Sequence, residues 1–131
     1  MTPNLDLIGI VVADMAASVA FHRRLGLDIP DGAERELHGE VTLPGGLRLA
    51  WDTEEVIRSF MPEWRPPSGS SRTALVFRCA DAPAVDRTYA DLVGAGDAGA
   101  REPVDGPWGQ RYAVVHDPDG NAVDLFAPLA G

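Results

Sequence analysis

The 131-residue chain is 45% apolar and carries a formal charge of −9, which suits one modest domain or two small fused modules. Its eleven cationic side chains are all arginine and form no basic patch, which argues against a nucleic-acid backbone as partner. No apolar run is long enough to cross a bilayer, and the first residues lack the basic and apolar regions of an export signal. The expected location is therefore the cytoplasm.

In chain order, Leu5 to Val12 reads as a strand whose more apolar face holds Ile8, Ile10 and Val12. Asp14 is placed to cap a helix from Met15 to Leu25, with Val19, Phe21 and Leu25 apolar and Gly26 as terminator. An acidic segment from Gly32 to Glu40 contains His38. After the turn at Pro44-Gly45, Gly46-Leu-Arg-Leu-Ala-Trp51 reads as a strand closing the first half. Asp52 or Thr53 can cap a short helix with Val56, Ile57 and Phe60 on its apolar side, limited by Pro62, Pro66 and Pro67.

The opening phrase then recurs. Arg72 to Cys79 is a strand, Asp81 a cap, and Ala84 to Val93 a helix ending at Gly94 or Gly96. The two capping aspartates lie 67 residues apart, about half the chain. Gly94 to Gly106, rich in glycine and acidic residues, reads as a loop. Tyr112 to Phe126 reads as strand, Asp-Pro-Asp-Gly-Asn turn and strand, the second following Pro118-Asp119 as the earlier one follows Pro44-Gly45. Each half is thus strand, helix, then two or three strands. One domain over 1–131 is expected, with modules at 1–52 and 72–131 and a connection at 53–71.

Cys79 has no disulfide partner and sits in an apolar strand, as a small core residue would. The three histidines, His22, His38 and His116, have no spacing that makes a ligand pair.

The phrases Val12-Ala-Asp-Met-Ala-Ala-Ser18 and Asp117-Pro-Asp-Gly-Asn-Ala-Val-Asp124, with the duplication, resemble the glyoxalase, bleomycin-resistance and extradiol-dioxygenase (vicinal oxygen chelate) superfamily over nearly the whole chain. The resemblance implies an α+β fold of paired βαβββ modules whose curved mixed sheets surround a cavity, usually in a homodimer. Gly46 to Thr53, Pro107 to Tyr112 and Asp119 to Leu129 further resemble the mitomycin-binding resistance proteins of that superfamily.

The superfamily's enzymes hold a divalent metal at four strand positions. The resemblance aligns these with Leu7, Ala50, Ala74 and Asp124, so three carry no ligand side chain. One carboxylate does not supply the donor set that Zn²⁺, Fe²⁺ or Mn²⁺ requires. No metal and no other cofactor is expected.

A metal-free cavity would hold a planar, partly polar compound through aromatic surface and a few polar groups. Trp108, between Pro107 and Gly109, is a stacking candidate, and the resemblance gives the matching tryptophan a drug contact. His38 offers hydrogen bonds, and the resemblance makes it a ligand contact too. Asp124, Arg48 and Arg111 are candidate polar anchors, with Arg48 and Asp124 either pairing or lying apart. Trp51 suits either core or ligand site, and Tyr112 either stacking or structure.

The expected function is binding and sequestration of a planar or quinone-like antibiotic or secondary metabolite, giving drug resistance without a catalytic residue. The alternative is a metal-independent enzyme or oxidoreductase acting on a related natural product. A small molecule is the expected partner, with no nucleic acid and no membrane.

Overall fold

The computed structural model describes residues 2–129. The chain divides into two compact units, Met1–Pro66 and Pro67–Gly131.

The first unit runs β1 (Leu7–Val12), α1 (Met15–Arg24), a 3-10 turn (Ala33–Arg35), β2 (His38–Thr42), β3 (Arg48–Thr53) and α2 (Glu54–Phe60). Its sheet order is β1-β3-β2, with β1 parallel and β2 antiparallel to β3. Asp14 starts α1 by accepting the Ala17 amide at 3.1 Å, and Gly26, at φ 97°, turns the chain out of it. Of the two possible caps for α2, Thr53 does the work, its Oγ1 accepting the Val56 amide at 3.2 Å. Strand alternation sends Leu49 and Trp51 to the face that α1 covers with Met15, Val19 and Phe21.

His22 is fully buried in that core. Its Nδ1 donates to the Ser18 carbonyl at 2.7 Å, one helical turn back, and its ring meets Trp51 edge-on at 5.1 Å.

The second unit runs β4 (Ala74–Arg78), α3 (Ala82–Gly94), β5 (Ala98–Gly106), β6 (Gln110–His116) and β7 (Ala122–Pro128). Its sheet order is β4-β7-β6-β5, with β4 parallel to β7 and the other pairs antiparallel. Asp81 caps α3 through the Ala84 amide at 2.9 Å. Val85 and Leu92 of α3 are buried, as are Ala113, Val115, Val123, Leu125 and Ala127 on β6 and β7.

These are modules of βαβββ type in an α+β fold, as expected, with a 3-10 turn in the first unit where the second has β5. The segment read as a loop from Gly94 to Gly106 is mostly β5. Its glycine-rich composition hides the strand because the pairing with β6 is irregular, with register shifts between Gly99 and Arg101 and between Arg101 and Val104.

The β6–β7 turn is organised by Asp117, which is only 5% exposed. Its Oδ1 accepts the amides of Asp119 and Asn121, and its Oδ2 accepts the Asn121 side-chain amide at 3.0 Å. Gly120, at φ 86°, supplies the left-handed step. This turn sets the register that places Asp124 opposite Val114 and Phe126 opposite Tyr112. Among the described residues, no helix is long and apolar enough to cross a membrane.

Candidate functional site

On the face of the second sheet turned away from α3, side chains from three strands and one turn line a cavity of about 400 Å³. Val76 comes from β4, Asp124 and Phe126 from β7, Gln110 and Tyr112 from β6, and Trp108 from the β5–β6 turn. Residues 122, 124 and 126 share one face by the two-residue strand period, while Val123 and Leu125 go to the core. The same period on β6 gives Gln110 and Tyr112 to the cavity and sends Arg111 the other way.

Asp124 is the only carboxylate among the described residues lining this cavity. Its side chain forms no hydrogen bond or ion pair with any described residue, and partial removal from water raises its carboxyl pKa above the ordinary aspartate value. Across the sheet its neighbours are Val76 and Val114, neither able to share a proton or a charge. Arg78 shares this face of β4 but is paired in register with Phe126, and Arg101 on β5 stands opposite Val114. Neither arginine lines the cavity or bonds to Asp124.

Trp108 and Tyr112 form an aromatic corner, with ring centroids 5.1 Å apart and planes tilted by 45°. The indole Nε1 donates to the Gln110 Oε1 at 2.8 Å, which ties the two side chains together and leaves the Gln110 amide nitrogen as the donor of that group. Trp108 remains 57% exposed, an unusual amount for so large an apolar surface and suited to stacking.

The other candidate residues fall elsewhere. His38 lies on the first sheet between two carboxylates, its Nδ1 2.6 Å from Asp52 Oδ1 and its Nε2 2.9 Å from Glu40 Oε2. Only the imidazolium donates to both, so the Asp52 and Glu40 bonds raise its pKa above the usual histidine value, against a smaller opposing effect of burial. Arg48 extends the chain of charges, bonding to Glu40 Oε1 at 2.9 Å and to Asp6 Oδ2 at 2.6 Å. Both residues are thus held by protein carboxylates.

Trp51 is fully buried beside His22 and takes the core role of the two open to it. Arg111 points to the α3 side of its sheet, where Asp86 at 2.9 Å and Asp105 at 3.1 Å hold it. Of the seven sequence candidates, the cavity therefore gathers Trp108, Tyr112 and Asp124. The sequence reading missed Gln110, Val76 and Phe126. Alternation around Tyr112 and Asp124 carries the signal for Gln110 and Phe126, whereas Val76 needed the β4–β7 register.

That register adds two positions to the metal comparison. The residues opposite Ala50 and Asp124 on the parallel strands are Gly9 and Val76, two positions beyond Leu7 and Ala74. Glycine, alanine and valine donate nothing to a metal, and no group of three or more His, Cys, Asp or Glu among the described residues could hold one. The donor set does not fit a divalent metal.

Residues 4–125 match the family model described as Glyoxalase/Bleomycin resistance protein/Dioxygenase superfamily. Among solved structures, a glyoxalase/bleomycin resistance protein/dioxygenase family enzyme from Burkholderia phytofirmans PsJN superimposes with a TM-score of 0.82 at 19% identity, covering 97% of this chain and 100% of that one. A glyoxalase-related enzyme from Fulvimarina pelagi gives 0.80 at 20% identity, covering 96% and 88%. A glyoxalase/bleomycin resistance protein/dioxygenase from Nocardioides gives 0.75 at 25% identity, covering 100% and 87%. No curated protein matches the chain.

Proposed function

We propose that this chain, which belongs to the Glyoxalase/Bleomycin resistance protein/Dioxygenase superfamily, is a metal-independent enzyme acting on a planar natural product through proton transfer at Asp124. The observation that supports this most directly is Asp124 itself, an unpaired carboxylate of raised proton affinity inside a cavity walled by Trp108, Tyr112 and Phe126. A structural ion pair would have supplied a cation, and a simple apolar pocket has no use for the carboxylate. A carboxyl group whose pKa moves toward neutrality is a better proton acceptor from a bound ligand, and in its acid form a usable donor. The aromatic corner would hold the ligand plane, and the Gln110 amide would orient one acceptor on it.

Sequestration of an antibiotic or secondary metabolite is the second reading. It is favoured by the largely aromatic and apolar lining and by the lack of a second carboxylate or a histidine among the described lining residues. Binding alone would then suffice, and micromolar affinity needs only about −8 kcal/mol.

The deciding experiment incubates chelator-treated protein with a panel of planar quinones and nitrogen heteroaromatics, following ligand mass and tryptophan fluorescence together. Chemical change in the ligand that is lost in Asp124→Asn supports the enzyme. Saturable binding with unchanged ligand moves the assignment to sequestration.

A further inference from the structure

We infer that the ligand of this cavity carries a positive charge on nitrogen, a quaternary or protonated amine set in or beside a planar ring, which Asp124 and the rings of Trp108, Tyr112 and Phe126 receive together. The inference rests on the reading of this cavity as the ligand site and adds to it the chemical class of the ligand.

The first observation concerns charge. A partly desolvated carboxylate normally has a cation beside it. In this unit even the more exposed carboxylates of Asp86 and Asp105 have a cation beside them, Arg111 on the α3 side of the sheet. Asp124 does not, although Arg78 stands on the neighbouring strand β4. The groups across the sheet from it are Val76 and Val114, so its charge faces the cavity.

The second observation concerns the walls. Aromatic faces attract cations through their quadrupole and offer nothing comparable to an anion. Of the other polar groups lining it, Tyr112 offers a hydroxyl and Gln110 an amide whose carbonyl oxygen is occupied by the Trp108 indole N–H, and neither is a cation that would receive an anion. A neutral planar ligand would gain from stacking but leave the carboxylate without a partner. A nitrogen cation would use the rings and the carboxylate at once. The chain's formal charge of −9 also favours the approach of cations over anions. With a nitrogen cation bound, Asp124 stays ionised, so its part in any reaction is that of the base.

The test compares probes of similar size and different charge: N-methylquinolinium, quinoline kept neutral at about pH 8, and quinoline-2-carboxylate. Binding is followed by tryptophan fluorescence and located by NMR shifts of Tyr112 and Phe126. The cation is expected to bind on the order of tenfold more tightly than neutral quinoline, with the carboxylate weakest. Asp124→Asn, checked for its melting transition, should bring the cation-to-neutral ratio close to one. Equal binding of cation and neutral probe would overturn the cation inference while leaving the cavity as a ligand site. Tighter binding of the carboxylate would overturn it in the same way. If no probe shifts Tyr112 or Phe126, the inference and the ligand-site reading both fall.

Discussion

Gly106→Ala should disable the aromatic corner without touching the ligand. Gly106 ends β5, and its backbone needs no left-handed conformation, so alanine fits the main chain. A Cβ built there lies 2.9 Å from Trp108 Cζ2, 3.0 Å from Cε2 and 3.2 Å from Cη2. Ordinary carbon contacts begin near ~3.5 Å, so the indole must retreat by about 0.5 Å or rotate. The Trp108–Gln110 hydrogen bond, now 2.8 Å, would then stretch to the limit of a useful bond, and the stacking with Tyr112 would change with it.

Losing that hydrogen bond and the ring pair costs about 1–2 kcal/mol of stability at most, because Trp108 is largely exposed. Affinity for a planar ligand should fall as well, since one lost stacking contact of about 0.5–1.5 kcal/mol corresponds to a roughly two- to tenfold weaker Kd. Thermal denaturation and fluorescence titration with N-methylquinolinium measure the two effects separately. A variant that melts normally and binds as tightly as the parent would refute the assignment of Trp108 to the site.

The remaining predictions probe stability and protonation. Trp51→Ala should destabilise the first unit by about 3–5 kcal/mol, visible in urea denaturation, because it empties a fully buried indole site beside His22. His38 should titrate by NMR with a midpoint above about 6.5, and Asp52→Asn should move that midpoint down. Because its folded pKa is the raised one, His38 adds stability fully below about 6.5 and loses it as pH rises through the folded value. His38→Gln should remove that dependence. Asp124 has the opposite charge type but also a raised folded pKa, so its ionisation weakens the fold as pH climbs from about 3.9 through that value. Asp124→Asn should therefore melt no lower than the parent at neutral pH, with the difference shrinking in acid.

The caps and turns were readable because local chemistry decides them. Asp14, Asp81 and the Asp117 turn each act on amides within four residues, and the structure uses all three. β5 was not readable, because its pairing depends on β6 and is broken by register shifts that erase the alternating pattern. At the site, the two-residue period placed Asp124 and Phe126 on a common face, yet the fate of the charged candidates depended on distant partners. Arg111 was drawn to Asp86, 25 positions earlier in the chain, and Arg48 to Asp6, 42 positions earlier. His22 shows the same limit, since its burial follows from packing between α1 and Trp51 rather than from its neighbours in sequence.

The most direct test of the central claim is solvent-deuterium exchange into a bound planar cation in heavy water, with a chelator present, for the parent protein and Asp124→Asn. Deuterium should enter a methyl group on the ring carbon next to the cationic nitrogen, where loss of the proton leaves a neutral enamine, with the parent and should not with Asp124→Asn. Exchange that requires an added divalent metal, or that continues unchanged in Asp124→Asn, would contradict proton transfer by this carboxylate.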